Sequence, residues 1–134
     1  MRSKFSLTLD DVHRIVAACR READRAGRAA TIAVVDGSGV LMYLERPDDQ
    51  PANSVDMATG KARTAAFRER PSSSLEARVK ERPGFLTYPN AIAVTGGVPL
   101  IYQGQCVGGV GVSGIADDDE VVAKAGAEAL AGSG

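Results

Sequence analysis

The chain has 134 residues, 44% of them hydrophobic and 25% charged, enough for one domain with its own core and too apolar for a disordered segment. Sixteen basic residues nearly balance seventeen acidic ones, for a net charge of −1. With no basic excess, no tryptophan and only six other aromatic residues, nothing favours nucleic acid or an anionic membrane as partner. No apolar run approaches the roughly 20 residues of a membrane span. The first residues, MRSKFSLTLDD, lack the apolar stretch of a secretion signal, so a cytoplasmic protein is expected. Cys19 and Cys106 form no CxxC pair, and two cysteines with one histidine are too few for a structural zinc site. Both are expected to be reduced thiols.

In chain order, residues 8–26 have the pattern of an amphipathic helix. Thr8 suits the N-cap with Asp11 three residues on, and Val12, Ile15, Val16, Cys19, Ala23 and Ala26 form one apolar stripe. Gly27 is placed to end it in the left-handed conformation. TIAVVD (31–36) and VLMYLER (40–46), joined by GSG, predict a β-hairpin with a bulge at a glycine. A second helix follows Pro51 with a small-residue face of Val55, Ala58, Ala62, Ala65 and Ala66, a face that lets a helix lie close to a sheet; Pro71 ends it. Residues 72–81 predict a third helix capped by a serine and stopped before Pro83. Residues 83–90 are irregular.

AIAVTG, VPLIYQ and CVGGVGVSG then predict three more strands, DDDEVVAKAGAEAL a closing helix with acids in its first turn, and Gly132-Ser133-Gly134 a frayed end. The order α-β-β-α-α-β-β-β-α, with short hairpin connections, predicts an α+β domain spanning residues 1–134. Its sheet is expected to be antiparallel and five-stranded, flanked by helices. Residues 96–120 carry seven glycines, Ser113 and an acidic run, the composition of a site built largely from backbone.

Several segments, in this order and spacing, carry a resemblance: VVDGSG (34–39) with Glu45-Arg46, ATGKARTAA (58–66), GGVPL (96–100), and VGGVGVSG (107–114) with Asp119-Glu120. From about residue 8 to residue 131 the chain resembles the small haem-binding or haem-degrading family associated with glycolate- and propanediol-utilisation operons. The resemblance implies a profilin- or PAS-like antiparallel sheet, homo-oligomers from dimers to octamers, and haem as cofactor. It fixes the scaffold better than the reaction.

The side chains that could carry chemistry are few. His13 is the only histidine, so imidazole ligation of haem falls to it, and the resemblance implies a ligand near the start of the first helix. A partly exposed helix histidine is the competing reading. Asp36 either caps the glycine turn or shuttles a proton. Arg46 either clamps a carboxylate, such as a haem propionate or a small acid, or pairs with Asp48 or Asp49. Lys61, between Gly60 and Ala62, could contact a cofactor or act as a base or imine-forming amine, or lie on a solvated face. Gly96, Gly97 and Pro99 form a turn whose amides could hold an anionic oxygen. Ser113 lacks a GxSxG context and a triad histidine, and is read as a cap or a ligand contact. Asp119 and Glu120 are read as a favourable helix start, with no metal site expected.

These residues support three functions. The first is haem binding, with possible degradation. The second is an enzyme acting on a small carboxylate by proton transfer, an isomerase, hydratase or lyase using Arg46, Lys61 or Asp36, and the Gly-Gly amides. The third is a metabolite-binding accessory or sensor module.

Overall fold

The computed structural model describes residues 1–131. Helix α1 (Leu9–Arg25) leads into strands β1 (Thr31–Asp36) and β2 (Leu41–Glu45), then helices α2 (Ser54–Arg68) and α3 (Ser72–Glu81). A 3-10 turn over Pro83–Thr87 precedes strands β3 (Gly97–Tyr102) and β4 (Gln105–Ser113), and helix α4 (Asp119–Ala131) follows a second short 3-10 turn. The expected frayed end at 132–134 lies outside the described residues. No helix among the described residues is long and apolar enough to cross a membrane.

The ends of α1 follow from its sequence. Thr8 Oγ1 accepts from the Asp11 amide and the Asp11 carboxylate accepts from the Thr8 amide, a complete capping box. The Thr8 amide, with the Arg14 charge adding to it, holds the Asp11 carboxyl below its ordinary range. Gly27 takes φ 71° beyond the last turn.

The sheet is antiparallel throughout, in the order β2-β1-β4-β3. It has four strands, not the expected five. Residues 91–95 of AIAVTG run beside α2 and α3 outside the ladder, where side chains of those helices take up polar groups of the segment; Gly96, at its end, bonds β4. The Ile92 amide donates to Thr64 Oγ1, Ser72 Oγ donates to the Val94 carbonyl, and Thr95 Oγ1 donates to Glu76. A segment whose main chain is partnered this way has no need of a neighbouring strand. Ser72 is therefore not the cap of α3: Pro71 precedes that helix and no side chain caps it. A hairpin bulge is present but not at a glycine as expected: the register shifts between Val34 and Val35, with Met42 of β2 as the extra residue, while Gly39 lies in the turn at φ 79°.

The two faces of the sheet are covered differently. On one, Val12, Ile15, Val16 and Cys19 of α1 and Val122, Ala123 and Leu130 of α4 pack on Ile32, Val34, Leu100, Val110 and Val112 to form the main core. On the other, α2 lies almost directly on backbone. A Cβ built on Gly111 would stand 2.0 Å from the Ala58 carbonyl oxygen, one on Gly109 2.2 Å from that of Ala62, and one on Gly97 2.0 Å from that of Lys61. Only strand residues without side chains admit a helix at this distance.

Candidate functional site

The residues singled out from sequence fall in three places. Asp36 lies at one end of the sheet, where its Oδ1 accepts from the Ser38 and Val40 amides at 2.8 and 3.0 Å. That is turn chemistry, and both lone-pair directions used serve the hairpin. The opposite end of β1, Thr31, pairs with Ser113.

At that opposite end lie Lys61, Gly96, Gly97, Ser113 and Arg46. Lys61 is 2% exposed, and its Nζ donates to the Val112 carbonyl at 3.0 Å and to Asp119 Oδ2 at 3.1 Å. Asp119 is itself buried, and its Oδ1 accepts from the Ile115 amide. The lysine starts on α2 and the carboxylate opens α4, helices on opposite faces, so the pair ties the two layers together around the start of β3. Gly96 makes the passage: it takes φ 134°, and a Cβ there would meet the Val112 carbonyl at 2.6 Å and Lys61 Nζ at 2.9 Å. The Gly96 carbonyl accepts from the Val112 amide and the Gly97 amide donates to Ser72 Oγ, so both glycines are engaged inside the fold. Pro99 lies in β3, an edge strand opposite Gly109, where its missing donor costs no ladder bond. Arg46 is exposed, and its Nη1 donates to the Gln50 carbonyl at 2.9 Å; Gln50 in turn donates to the Ala29 and Gly114 carbonyls. This end of the molecule is a closed hydrogen-bonded cluster rather than an open cleft.

His13 lies apart from that cluster, exposed on α1 above edge strand β2. Its ring meets the Tyr43 ring edge to face, with centroids 6.0 Å apart and planes at 85°. The Tyr43 hydroxyl donates to Glu45 Oε1 and accepts from Arg20 Nη2, while Arg20 Nε donates to Glu45 Oε2 at 2.9 Å. The hydrogen bonds to Glu45 raise the Arg20 guanidinium further above its ordinary value. Leu9, one turn before His13, is 52% exposed. The surface thus offers an outward-facing imidazole flanked by apolar and aromatic side chains. Neutral imidazole is the commonest protein ligand to haem iron, and an apolar flank suits a macrocycle. On donor chemistry these residues fit haem.

The structure therefore brings together Lys61, Gly96 and Gly97, with Ser113 next to Val112, and separates them from Asp36 and His13. The structural roles of three residues were not legible in the sequence. Asp119 is one of three successive aspartates, and no local pattern marks the one that turns inward. Ser72 reads as a helix cap. Tyr43 and His13 are thirty positions apart, a contact only the packing of α1 over β2 creates.

Residues 7–128 match the family model described as haem-degrading protein HbpS-like. Protein GlcG of Escherichia coli K12 is 38% identical over 114 residues, 84% of this chain and 85% of that protein. Among solved structures, a double mutant of Streptomyces reticuli HbpS is 33% identical with a TM-score of 0.88, over 97% of this chain and 90% of that one. The structure of a PduOC:haem complex, at 24% identity, shares the fold with a TM-score of 0.83 over 93% of this chain and 95% of that one. A family match over nearly the whole chain, joined to this likeness in sequence and fold, leads to one conclusion: the chain belongs to the HbpS-like family of haem-degrading proteins.

Proposed function

We propose that this protein binds haem on the α1–β2 surface, with the His13 imidazole as axial ligand. The observation that carries the reading is that the chain's only histidine faces outward, above Tyr43 and one turn from exposed Leu9. Family membership and the haem bound in the PduOC structure support it from outside the chain. Lys61 and Arg46 serve the scaffold in this reading: the first is enclosed with Asp119, the second holds the Gln50 loop. Neither Lys61 nor Asp36 has the exposure and neighbours that favour proton-transfer catalysis, so the carboxylate-enzyme reading gains no support from the geometry.

Titration of the purified protein with hemin tests the proposal. A saturable Soret band is expected, and His13→Ala should weaken binding by roughly 30-fold or more, at least the loss seen when a ligating histidine loses an outer partner. Because His13 is exposed, the variant should melt within a few degrees of the parent. A Soret band unchanged in His13→Ala removes the ligand assignment, and no saturable uptake removes haem binding altogether.

A further inference from the structure

We propose that Tyr43 is a positioning residue that fixes the plane of the His13 imidazole before haem arrives; the inference rests on the haem reading above. An exposed histidine on a helix is normally free to turn about its outer torsion, which has broad minima. Here the ring is met at 85° by the Tyr43 ring, with centroids at 6.0 Å, the favoured perpendicular arrangement of two π-systems. A positioning group must itself be held, and Tyr43 is. Its hydroxyl is caught between Glu45 Oε1 at 3.1 Å and Arg20 Nη2 at 3.0 Å, and Arg20 and Glu45 are joined directly.

Arg20 follows His13 by seven residues, two turns along the same face of α1. The contacts therefore form a closed loop: His13 to Tyr43, Tyr43 to Arg20 and Glu45, and Arg20 back along the helix to His13. Tyr43 and Glu45, two apart on β2, project to this same side of the strand. The loop locks helix to edge strand and leaves the imidazole exposed beside the Arg20 side chain. No other aromatic ring contacts His13 among the described residues. Iron–imidazole bonding is sensitive to the orientation of the ring, and groups that orient a ligating histidine commonly set its affinity for metal.

The test compares Tyr43→Leu and Tyr43→Phe in the full chain. Tyr43→Leu keeps apolar bulk and removes the ring, and should weaken hemin binding by roughly three- to tenfold, the range of an aromatic pair contact. It should also broaden the low-temperature electron paramagnetic resonance g-values of the ferric complex, since the imidazole plane is then distributed. Tyr43→Phe restores the ring but not the hydroxyl that anchors it, and should recover part of both the affinity and the narrow signal, falling between Tyr43→Leu and the parent. A Tyr43→Leu variant with the parent's affinity and line shape overturns this inference and leaves haem binding intact. Failure of the unmodified protein to take up hemin overturns the haem reading and this inference with it. A loss in Tyr43→Leu of which Tyr43→Phe repairs no part overturns positioning by the ring and assigns the effect to the hydroxyl.

Discussion

At the scale of single residues, Lys61 carries the sharpest consequence. A buried ion pair is weak evidence of net stabilisation, but removing one partner leaves the other charge enclosed and unpaired. Lys61→Met should therefore destabilise the protein by about 3–5 kcal/mol, read from urea midpoints. Adding Asp119→Asn removes the stranded charge while keeping an acceptor for the Ile115 amide, and should recover part of that loss. A Lys61→Met cost below about 1 kcal/mol would show that the pair is not what joins α2 to α4. The same residue shows what sequence could and could not give. Its place between Gly60 and Ala62 left a cofactor contact, a catalytic amine or a solvated face open, and at 2% exposure the solvated face is excluded. What approaches is Asp119 and the Val112 carbonyl of the same chain, fifty or more positions away, rather than a ligand.

At the scale of elements, the glycines of β4 are the seat of a helix. Gly109 and Gly111 alternate with Val110 and Val112, so period-2 geometry sends the valines into the main core and the bare backbone toward α2. A methyl group on that bare face meets main chain, which cannot rotate away. Gly111→Ala should cost roughly 2–3 kcal/mol through overpacking alone. Gly84→Ala, where no atom lies within 4 Å, should stay within about 0.5 kcal/mol and serves as the control. Equal, small effects at the two sites would mean that α2 shifts freely on the sheet. The glycine-rich pattern was legible as a demand for close approach, and the alanine face of α2 as a helix able to meet it. Their mutual assignment was not legible, because each pattern equally suits a ligand. The fifth strand failed for a related reason. AIAVTG has strand composition, and only the hydroxyls of Thr64 and Ser72, contributed by two helices, take its polar groups away from the ladder.

At the scale of the whole molecule, the α1–α4 layer has a pH reporter at its centre. Cys19 is fully buried where α1 crosses α4, so close that a Cβ on Gly126 would stand 2.5 Å from its sulfur. Burial pushes its thiol from 9.0 up to about 12. Between those values the unfolded chain has lost the proton while the native state keeps it. The native state then binds more protons, so the linkage slope is negative and stability falls as pH rises. The contribution is fully present below about pH 9 and declines by about 1.4 kcal/mol per pH unit toward pH 12. The partly buried Cys106 is raised in the same direction by desolvation and adds to the slope. Tyrosines and lysines also titrate in this range, but the difference between the parent and Cys19→Ala cancels them. In reducing buffer, the parent's urea midpoint should drop faster than that of Cys19→Ala between pH 9 and 11, with the two curves converging as alkalinity increases. Parallel curves would mean that the thiol ionises as readily in the native protein as in the unfolded chain. Water would then reach the α1–α4 contact, and the main core would not be the sealed layer on which the His13 surface of α1 is carried.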